Sequence, residues 1–304
     1  MKRVVLFASG MMMISAVSAA GMDRYGASIS QSNWKLSVSS PLECRFEHQI
    51  PGWGSGSFIS YANKRTNIDF ELKPLRPQAK IQTVTVRSIP PVWRPGVADN
   101  SLSKMKMYTQ FNGYLSGKAA WSMIDELEGG NNPSFLFRDY YHQERPITVT
   151  LSAIGFRTKY QEFLGCLQTL LPYSFDDISY TVLTYNKDTE TLSPYSQRRL
   201  NMIAEYLKAD PSLDLAMVTA HTDSLGDEDK NMDISVRRAD AVKKFFADLG
   251  IDEKRITAAG EGEKYLVQPN DTEQHRDVNR RIVVTLQRWT PPELNFDKNK
   301  TASR

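Results

Sequence analysis

The segment TAHTDSLGDEDKNMDISVRRA, from Thr219 to Ala239, decides what kind of domain ends this chain. It places an acid, Asp223, directly after the apolar run LDLAMVTA, and a base, Arg238, fifteen positions later. The apolar run predicts a strand. Ser235 suits the N-cap of a following helix, which would put Arg238 in the first turn of that helix.

Asp223 and Arg238 would then lie at the same rim of the domain, where the strand ends and the helix begins. They could clamp a zwitterionic ligand, because a carboxylate binds an ammonium group and a guanidinium binds a carboxylate in bidentate fashion. The helix N-terminus would add NH donors and a positive dipole end. An internal salt bridge that holds the loop explains the same spacing, and spacing alone leaves both interpretations open.

The sequence around this segment alternates between strand and helix patterns. Strands are predicted at ISYTVLTY, LDLAMVTA, RITAAGEG and RRIVVTLQR. One helix begins with Ser193 as its cap and Pro194 in its first turn, and a second runs from Ser235 to a stop at Gly250. The order β-α-β-α-β-β predicts an α/β sandwich over residues 172–289. Residues 290–304 have little to bury and are predicted to be disordered.

The preceding part, residues 21–171, is predicted to be a mainly β domain. Ile147, Val149 and Leu151 alternate with hydroxyl residues in the period of two that fits a strand with one buried face. One helix is predicted at GKAAWSMIDELEGG, which ends at a pair of glycines.

Residues 1–20 resemble a secretory signal: Lys2 and Arg3 precede a short apolar run that ends in small residues. The two cysteines of an exported chain, Cys44 and Cys166, are then expected to form a disulfide, with two buried thiols as the alternative. Signal removal leaves 36 basic residues against 35 acidic ones, which argues against a nucleic-acid partner. The sequence has no hydrolase, metal-binding or phosphate-loop motif, so no enzyme activity, metal or cofactor is predicted.

The C-terminal segment, from roughly Pro172 to Gln287, closely resembles the OmpA-like peptidoglycan-binding domain. The motif residues of that family stand in order along the chain: Thr222-Asp223, Gly226, Asn231, Ile234-Ser235, Arg238-Ala239, Gly260, Gly262 and Asn279-Arg280-Arg281. Ala220 and Ile234 depart mildly from the pattern, and neither change removes a polar group.

The resemblance implies that Asp223 and Arg238 bind diaminopimelate in the peptidoglycan stem peptide. Thr222, Asn231 and Arg280 are further candidates for the peptidoglycan-binding site. Arg280 and Arg281 are predicted to open the last strand, where alternation lets at most one of them face a ligand.

The whole layout resembles the periplasmic T-ring proteins of sodium-driven polar flagellar motors. That resemblance rests on the architecture, the placement of the cysteines and the stretch YGASISQSNWKLSVSSPLECRFEHQIPGWGSGSF. It implies that residues 21–171 join the flagellar basal body and a MotX-like partner, that the C-terminal domain grips peptidoglycan, and that stator units assemble with its help. A general cell-envelope stability protein with the same wall anchor is the alternative, and a wall hydrolase is a third hypothesis without a catalytic constellation to support it.

Overall fold

The structure is a computed structural model that describes residues 23–186, 189 and 191–288. The predicted signal (1–20) and the predicted disordered tail (290–304) lie outside the described residues. The fold divides into two compact units. Of the described residues, the first unit contains Asp23–Lys35, Glu47–Phe58 and Asp69–Thr158, and the second contains Leu36–Phe46, Ile59–Ile68 and those from Lys159 to Arg288. The domain bounds inferred from the sequence stay a prediction.

The N-terminal part of the chain is mainly β, as predicted. Its strands are β1 Asp23–Gly26, β2 Trp34–Ser39, β3 Glu43–Ile50, β4 Gly54–Tyr61, β5 Asp69–Pro74, β6 Gln82–Ile89, β7 Asn100–Met107, β8 Gly113–Ser116, β9 Asn132–Asp139 and β10 Arg145–Thr150. Two five-stranded sheets result, with the strand orders β1-β10-β9-β6-β7 and β2-β3-β4-β5-β8. The predicted helix is α1, Lys118–Glu128.

Aromatic side chains fill the core of the first unit. Phe70 stacks on Phe135 with ring centroids 5.4 Å apart, and Phe58 lies 5.1 Å from Phe70. Trp34 meets the edge of Phe156 at 5.0 Å. All five rings are almost completely buried, and burial of such rings is the dominant favourable term in folding.

A second helix, α2 (Phe156–Leu167), was not predicted from the sequence. It carries Cys166, whose disulfide with Cys44 of β3 confirms the predicted bridge, with 6.0 Å between the two Cα atoms. Phe163 on the same helix stacks on Phe46 of β3 at 5.5 Å. The bridge therefore closes a span of 122 residues beside an aromatic contact that packs the same two elements.

The C-terminal part is an α/β sandwich, as predicted. Its elements are α3 Phe175–Ile178, β11 Tyr180–Thr184, α4 Pro194–Ala209, β12 Leu213–Ala220, α5 Glu228–Asp248, a 3-10 turn Glu253–Arg255, β13 Ile256–Gly260, α6 Glu273–Asn279 and β14 Arg281–Arg288. The sheet order is β11-β14-β12-β13, and only the β12–β13 pair among these strands is parallel.

One face of this sheet is covered by helices and the other is more open. Val218 and Val284 are buried with Ile203 of α4 and Phe246 of α5 in one hydrophobic core. Met217, next to Val218 on β12, points the other way and is 38% exposed. The period of two along the strands therefore places the helices on a single face.

Two local predictions in this part were wrong. Helix α5 begins at Glu228, seven residues before Ser235, because Asp227 is its N-cap and accepts a hydrogen bond from the NH of Lys230 at 3.1 Å. The short helix α6 precedes the last strand, so Arg280 caps a helix and does not lie in a strand. Among the described residues, no helix is long and apolar enough to span a bilayer.

Candidate functional site

The loop after β12 holds Thr222 and Asp223 in place through backbone bonds. The NH of His221 donates to the Arg281 carbonyl at 2.9 Å, and the NH of Thr222 donates to the Gly262 carbonyl at 2.8 Å. Both contacts tie the start of the loop to neighbouring segments of the second unit. Thr222 and Asp223 are therefore fixed and nearly buried, with 4% and 8% of their surface exposed.

The carboxylate of Asp223 binds Arg280. Its Oδ2 atom accepts a hydrogen bond from Arg280 Nη1 at 2.7 Å, and its Oδ1 atom accepts one from the Leu225 NH at 2.9 Å. The second bond forms a side-chain turn, and Gly226 continues the loop at a φ of 104°, which favours glycine. The orientation of the carboxylate is thus set by two donors from different segments.

Arg280 lies at the centre of an acidic group. Its Nη2 atom donates to Glu273 at 2.6 Å and to Asp277. Burial alone would lower the pKa of the Arg280 guanidinium, but the hydrogen bonds that it donates to Glu273, Asp223 and Asp277 outweigh burial and raise that pKa above its usual value. The hydrogen bonds from Arg280 and then Arg276 lower the pKa of Glu273. Arg280 is thereby engaged by three acids, an arrangement suited to orienting Asp223.

Arg238 lies well inside α5 and not in the first turn. It follows the first helical residue, Glu228, by ten positions, which at about 1.5 Å per residue is about 15 Å along the axis. The helix N-terminus therefore does not support Arg238 as expected, since the dipole effect fades within the first turn.

The guanidinium of Arg238 stacks over the ring of Tyr185, with 4.5 Å from Cζ to the ring centroid. Such a cation–π contact orients the flat guanidinium group. Both residues line a cavity of about 440 Å³ between α4 and α5, with Leu200 and Phe245 among its apolar walls. A guanidinium at the edge of an apolar cavity suits the capture of a carboxylate with an aliphatic stem.

Thr222 carries a buried hydroxyl that is not satisfied within the described part of the chain. Its Oγ1 atom has no hydrogen-bond partner there, although the residue is 4% exposed. Buried hydroxyls in folded proteins are almost always paired. The hydroxyl next to Asp223 is therefore a group that a ligand or a water molecule would satisfy.

Asn231 is buried and braces the loops. Its Nδ2 atom donates to Glu263 Oε2 at 2.9 Å and to the Leu225 carbonyl at 3.4 Å. These contacts hold the loop that follows Asp223 against α5 and the segment after β13. The side-chain amide is thus directed at the protein itself, and its predicted part in ligand binding stays a prediction.

The two glycines of the motif have separate structural roles. A Cβ atom on Gly260 would lie 2.4 Å from both Ser235 Oγ and Val236 N, so only glycine lets β13 approach α5 this closely. Gly262 adopts a φ of 55°, and its NH donates to Ser235 Oγ at 2.9 Å. Ser235, expected as a helix cap, is therefore a buried acceptor within the helix.

The structure brings Thr222, Asp223 and Arg280 together, and Asn231 contacts the loop that follows Asp223. Within the described residues, the hydrogen bonds of the Asp223 carboxylate go to Leu225 and Arg280 and not to Arg238. The interpretation of Asp223 and Arg238 as an internal salt bridge is therefore wrong. Tyr185 was missed in the sequence, because nothing in the spacing links it to an arginine 53 positions away.

Comparisons with known proteins find a matching family for each of the two parts of the chain. A family model described as the MotY N-terminal domain matches residues 25–172, and the OmpA family model matches residues 184–280. The "Sodium-type flagellar protein MotY" of Vibrio parahaemolyticus (serotype O3:K6) is 39% identical over 286 residues, covering 93% of this chain and 98% of that protein.

Several other relatives match about a third of this chain. Outer membrane porin F of Pseudomonas fluorescens is 35% identical over 103 residues, which are 34% of this chain and 31% of the porin. The peptidoglycan-associated lipoprotein from Burkholderia pseudomallei has a solved structure that is 24% identical, with a TM-score of 0.33 and coverage of 35% of this chain and 89% of that one. With its near full-length match, this chain belongs to the MotY family of sodium-type flagellar proteins and carries an OmpA-family domain in its C-terminal half.

Proposed function

We propose that this protein is a non-enzymatic structural component of the periplasmic T ring of a sodium-driven flagellar motor. Its C-terminal domain holds the motor to peptidoglycan by non-covalent contacts with the diaminopimelate of the stem peptide. The observation that carries the proposal is the 39% identity to MotY along 93% of this chain. In this proposal, the OmpA-family domain in the C-terminal part of the chain is the wall anchor.

The proposed ligand has the groups that the site can bind. The free end of diaminopimelate carries an ammonium and a carboxylate on one carbon. In this proposal the ammonium binds the Asp223 carboxylate, whose two other hydrogen bonds fix its direction, and the carboxylate binds the Arg238 guanidinium over Tyr185. Thr222 Oγ1 takes a further polar contact, and Arg280 and Asn231 act by positioning the loop.

The affinity of such a site should be modest. A hydrogen bond to a charged group contributes about 1.5–3 kcal/mol, whereas micromolar binding needs about 8 kcal/mol. Two such contacts supply only part of this binding free energy, and contacts with backbone groups and with the cavity wall beside Arg238 must supply the rest. Peptidoglycan is a polymer and a ring carries many copies, so avidity makes a weak site sufficient for a mechanical anchor.

The N-terminal domain, in this proposal, joins the flagellar basal body and a MotX-like partner, and the assembly helps stator units to gather around the rotor. The predicted secretory signal and the proposed wall ligand both support a periplasmic location. A general envelope-stability protein with the same anchor is the second candidate. It is disfavoured because the N-terminal match is to the MotY N-terminal domain specifically.

Motility of a strain that lacks the gene tests the proposal. The strain should assemble flagella but fail to swim, and the gene for the wild-type protein should restore swimming. The variants Asp223→Ala and Arg238→Ala should restore it poorly, while Arg237→Ala, an exposed neighbour on the same helix, should restore it fully. Normal swimming in the deletion strain, together with detergent sensitivity, would instead support the envelope-stability candidate.

A further inference from the structure

The loop between β13 and α6 presents three apolar side chains in succession to solvent. Tyr265 is 74% exposed, Leu266 is 39% exposed and Val267 is 52% exposed. Tyr265 also has a φ of 60°, a left-handed conformation that bulky residues rarely adopt. Such a conformation costs free energy and persists only where the surrounding contacts impose it, and it is concentrated at functional sites.

Buried side chains of the motif at the start of β14 hold this loop. Arg281 Nη2 donates to the Tyr265 carbonyl at 3.0 Å. Asn279 Oδ1 accepts the NH groups of Val267 and Gln268, each at 3.0 Å, and Asn279 Nδ2 donates to the Gln268 carbonyl at 3.0 Å. Asn279 and Arg281 are both buried. The backbone is therefore fixed from Tyr265 to Gln268, while the Tyr265 ring is left in solvent.

The same loop is joined at two points to the segment of the candidate site. The Gly262 carbonyl accepts the NH of Thr222 at 2.8 Å, and Asn270 Oδ1 accepts the NH of Ser224 at 3.2 Å. Tyr265 lies three positions beyond Gly262, so its backbone is within about 10 Å of that first contact. The exposed ring is thus a neighbour of the proposed wall site.

The ligand of the proposed wall site would bring a sugar within reach of this ring. About two amino acids separate the diaminopimelate of a stem peptide from the glycan strand, a reach on the order of 10 Å. One face of a pyranose ring carries C–H groups and is apolar, so an aromatic ring can pack flat on it. Lys264 and Gln268, both exposed, lie on either side of Tyr265 in the chain and carry donors that suit the carbonyls of N-acetyl groups.

We propose that Tyr265 binds the glycan strand of peptidoglycan by stacking on the apolar face of an N-acetylated sugar. This inference rests on the proposed function, because the stem peptide at Asp223 and Arg238 is what brings the strand to the ring. Leu266 and Val267 extend the apolar surface beside it. The backbone is already fixed, so little conformational freedom is lost when the sugar binds. The sugar contact makes the site prefer intact wall to free stem peptide.

Binding of two soluble ligands by the full mature protein tests the proposal. One ligand is a disaccharide muropeptide with its diaminopimelate stem peptide, and the other is the same stem peptide without the sugars. Isothermal titration calorimetry should show that wild type binds the muropeptide about tenfold more tightly, the change that a stacking contact of ordinary strength supplies. Tyr265→Gly should remove this preference and leave the affinity for the stem peptide unchanged, whereas Tyr265→Trp should keep the preference.

Thermal unfolding separates a role in binding from a role in the fold. Glycine adopts a φ of 60° without strain and the Tyr265 ring is mostly exposed, so Tyr265→Gly should unfold at the wild-type temperature or above it. The control Trp93→Gly removes a ring that is 57% exposed in the other compact unit. This control should keep the wild-type preference for the muropeptide.

Equal affinity of wild type for the two ligands, or a preference that survives Tyr265→Gly, would overturn the proposal. A clearly lower unfolding temperature for Tyr265→Gly would overturn it too, because the ring would then serve the fold. Binding of neither ligand by wild type would instead refute the wall anchor of the proposed function, and this inference with it.

Discussion

Asp223 and Arg280 lie 57 residues apart in the sequence and form an ion pair, with 2.7 Å between Oδ2 and Nη1. The pair joins the loop after β12 to the cap of α6. It gives Asp223 a fixed direction and leaves Arg238 as the cation beside the apolar cavity. The two arginines of the motif thus have different surroundings: Arg280 positions the acid, and Arg238 lies over the Tyr185 ring at the cavity wall.

Replacing Arg280 by alanine should therefore weaken both folding and wall binding. Asp223 would be left almost buried without its guanidinium, and loss of a hydrogen bond to a charged group costs about 1.5–3 kcal/mol. Urea unfolding measures this change. Arg276→Ala is the matched control, because Arg276 pairs with Glu273 at 2.7 Å and not with Asp223. Its effect should be below about 1 kcal/mol. Equal losses for both variants would contradict the special role of Arg280.

The variant Thr222→Val separates binding from stability. The buried Oγ1 atom makes no hydrogen bond to the described residues, so its removal should leave the free energy of unfolding unchanged or slightly higher. Sedimentation with purified cell-wall sacculi should nevertheless decrease. Thr219→Val, in the preceding strand, is the control and should bind as wild type does. A stability loss above about 1 kcal/mol at Thr222 would mean that the hydroxyl serves the fold.

Gly260→Ala tests the close packing of β13 on α5. The added Cβ would lie 2.4 Å from Ser235 Oγ and Val236 N, so overpacking should lower the free energy of unfolding by about 1–3 kcal/mol. Gly165→Ala, in helix α2 with open space around it, should raise it by about 0.5–1 kcal/mol. Thermal unfolding measures both, and a neutral Gly260→Ala would show that the two elements are not packed as described.

His48 should make the protein sensitive to mild acid. Burial lowers the pKa of His48 from 6.5 to about 4, and its Nδ1 atom has no hydrogen-bond partner among the described residues. The unfolded chain therefore binds a proton at His48 more readily than the folded chain does. The contribution of neutral His48 to the free energy of unfolding is fully present above pH 6.5 and is lost as the pH drops toward 4. The loss should reach about 3 kcal/mol.

Urea unfolding at several pH values measures this loss. The variant His48→Gln should show a flatter dependence on pH in this window, whatever its absolute stability. An unchanged slope in His48→Gln would rule out His48 as the titrating group.

The sequence predicted the architecture well where apolar periodicity was clear. Helix α4 begins as expected, since Ser193 accepts the NH of Ser196 at 3.2 Å and Pro194 occupies the first turn. Helix α2 could have been predicted from apolar periodicity, because Phe156, Tyr160 and Phe163 recur at helical spacing and are all buried.

The start of α5 could not be predicted from apolar periodicity. Its first two turns bury polar side chains: Asn231 binds Glu263, and Ser235 accepts the NH of Gly262. These partners come from a distant segment, so the apolar period appears only after Ser235. The same long-range contacts decide the site, where the partners of Asp223 and Arg238 follow from the folded chain and not from their spacing.

The central claim is that Asp223 and Arg238 bind peptidoglycan, and sedimentation of the full mature protein with purified sacculi tests it most directly. Asp223→Ala and Arg238→Ala, checked for native folding by circular dichroism, should stay in the supernatant. Wild type and the exposed-residue controls Asp233→Ala and Arg237→Ala should pellet. Equal pelleting of all five proteins would contradict the account, because Asp223 and Arg238 would then serve only the fold.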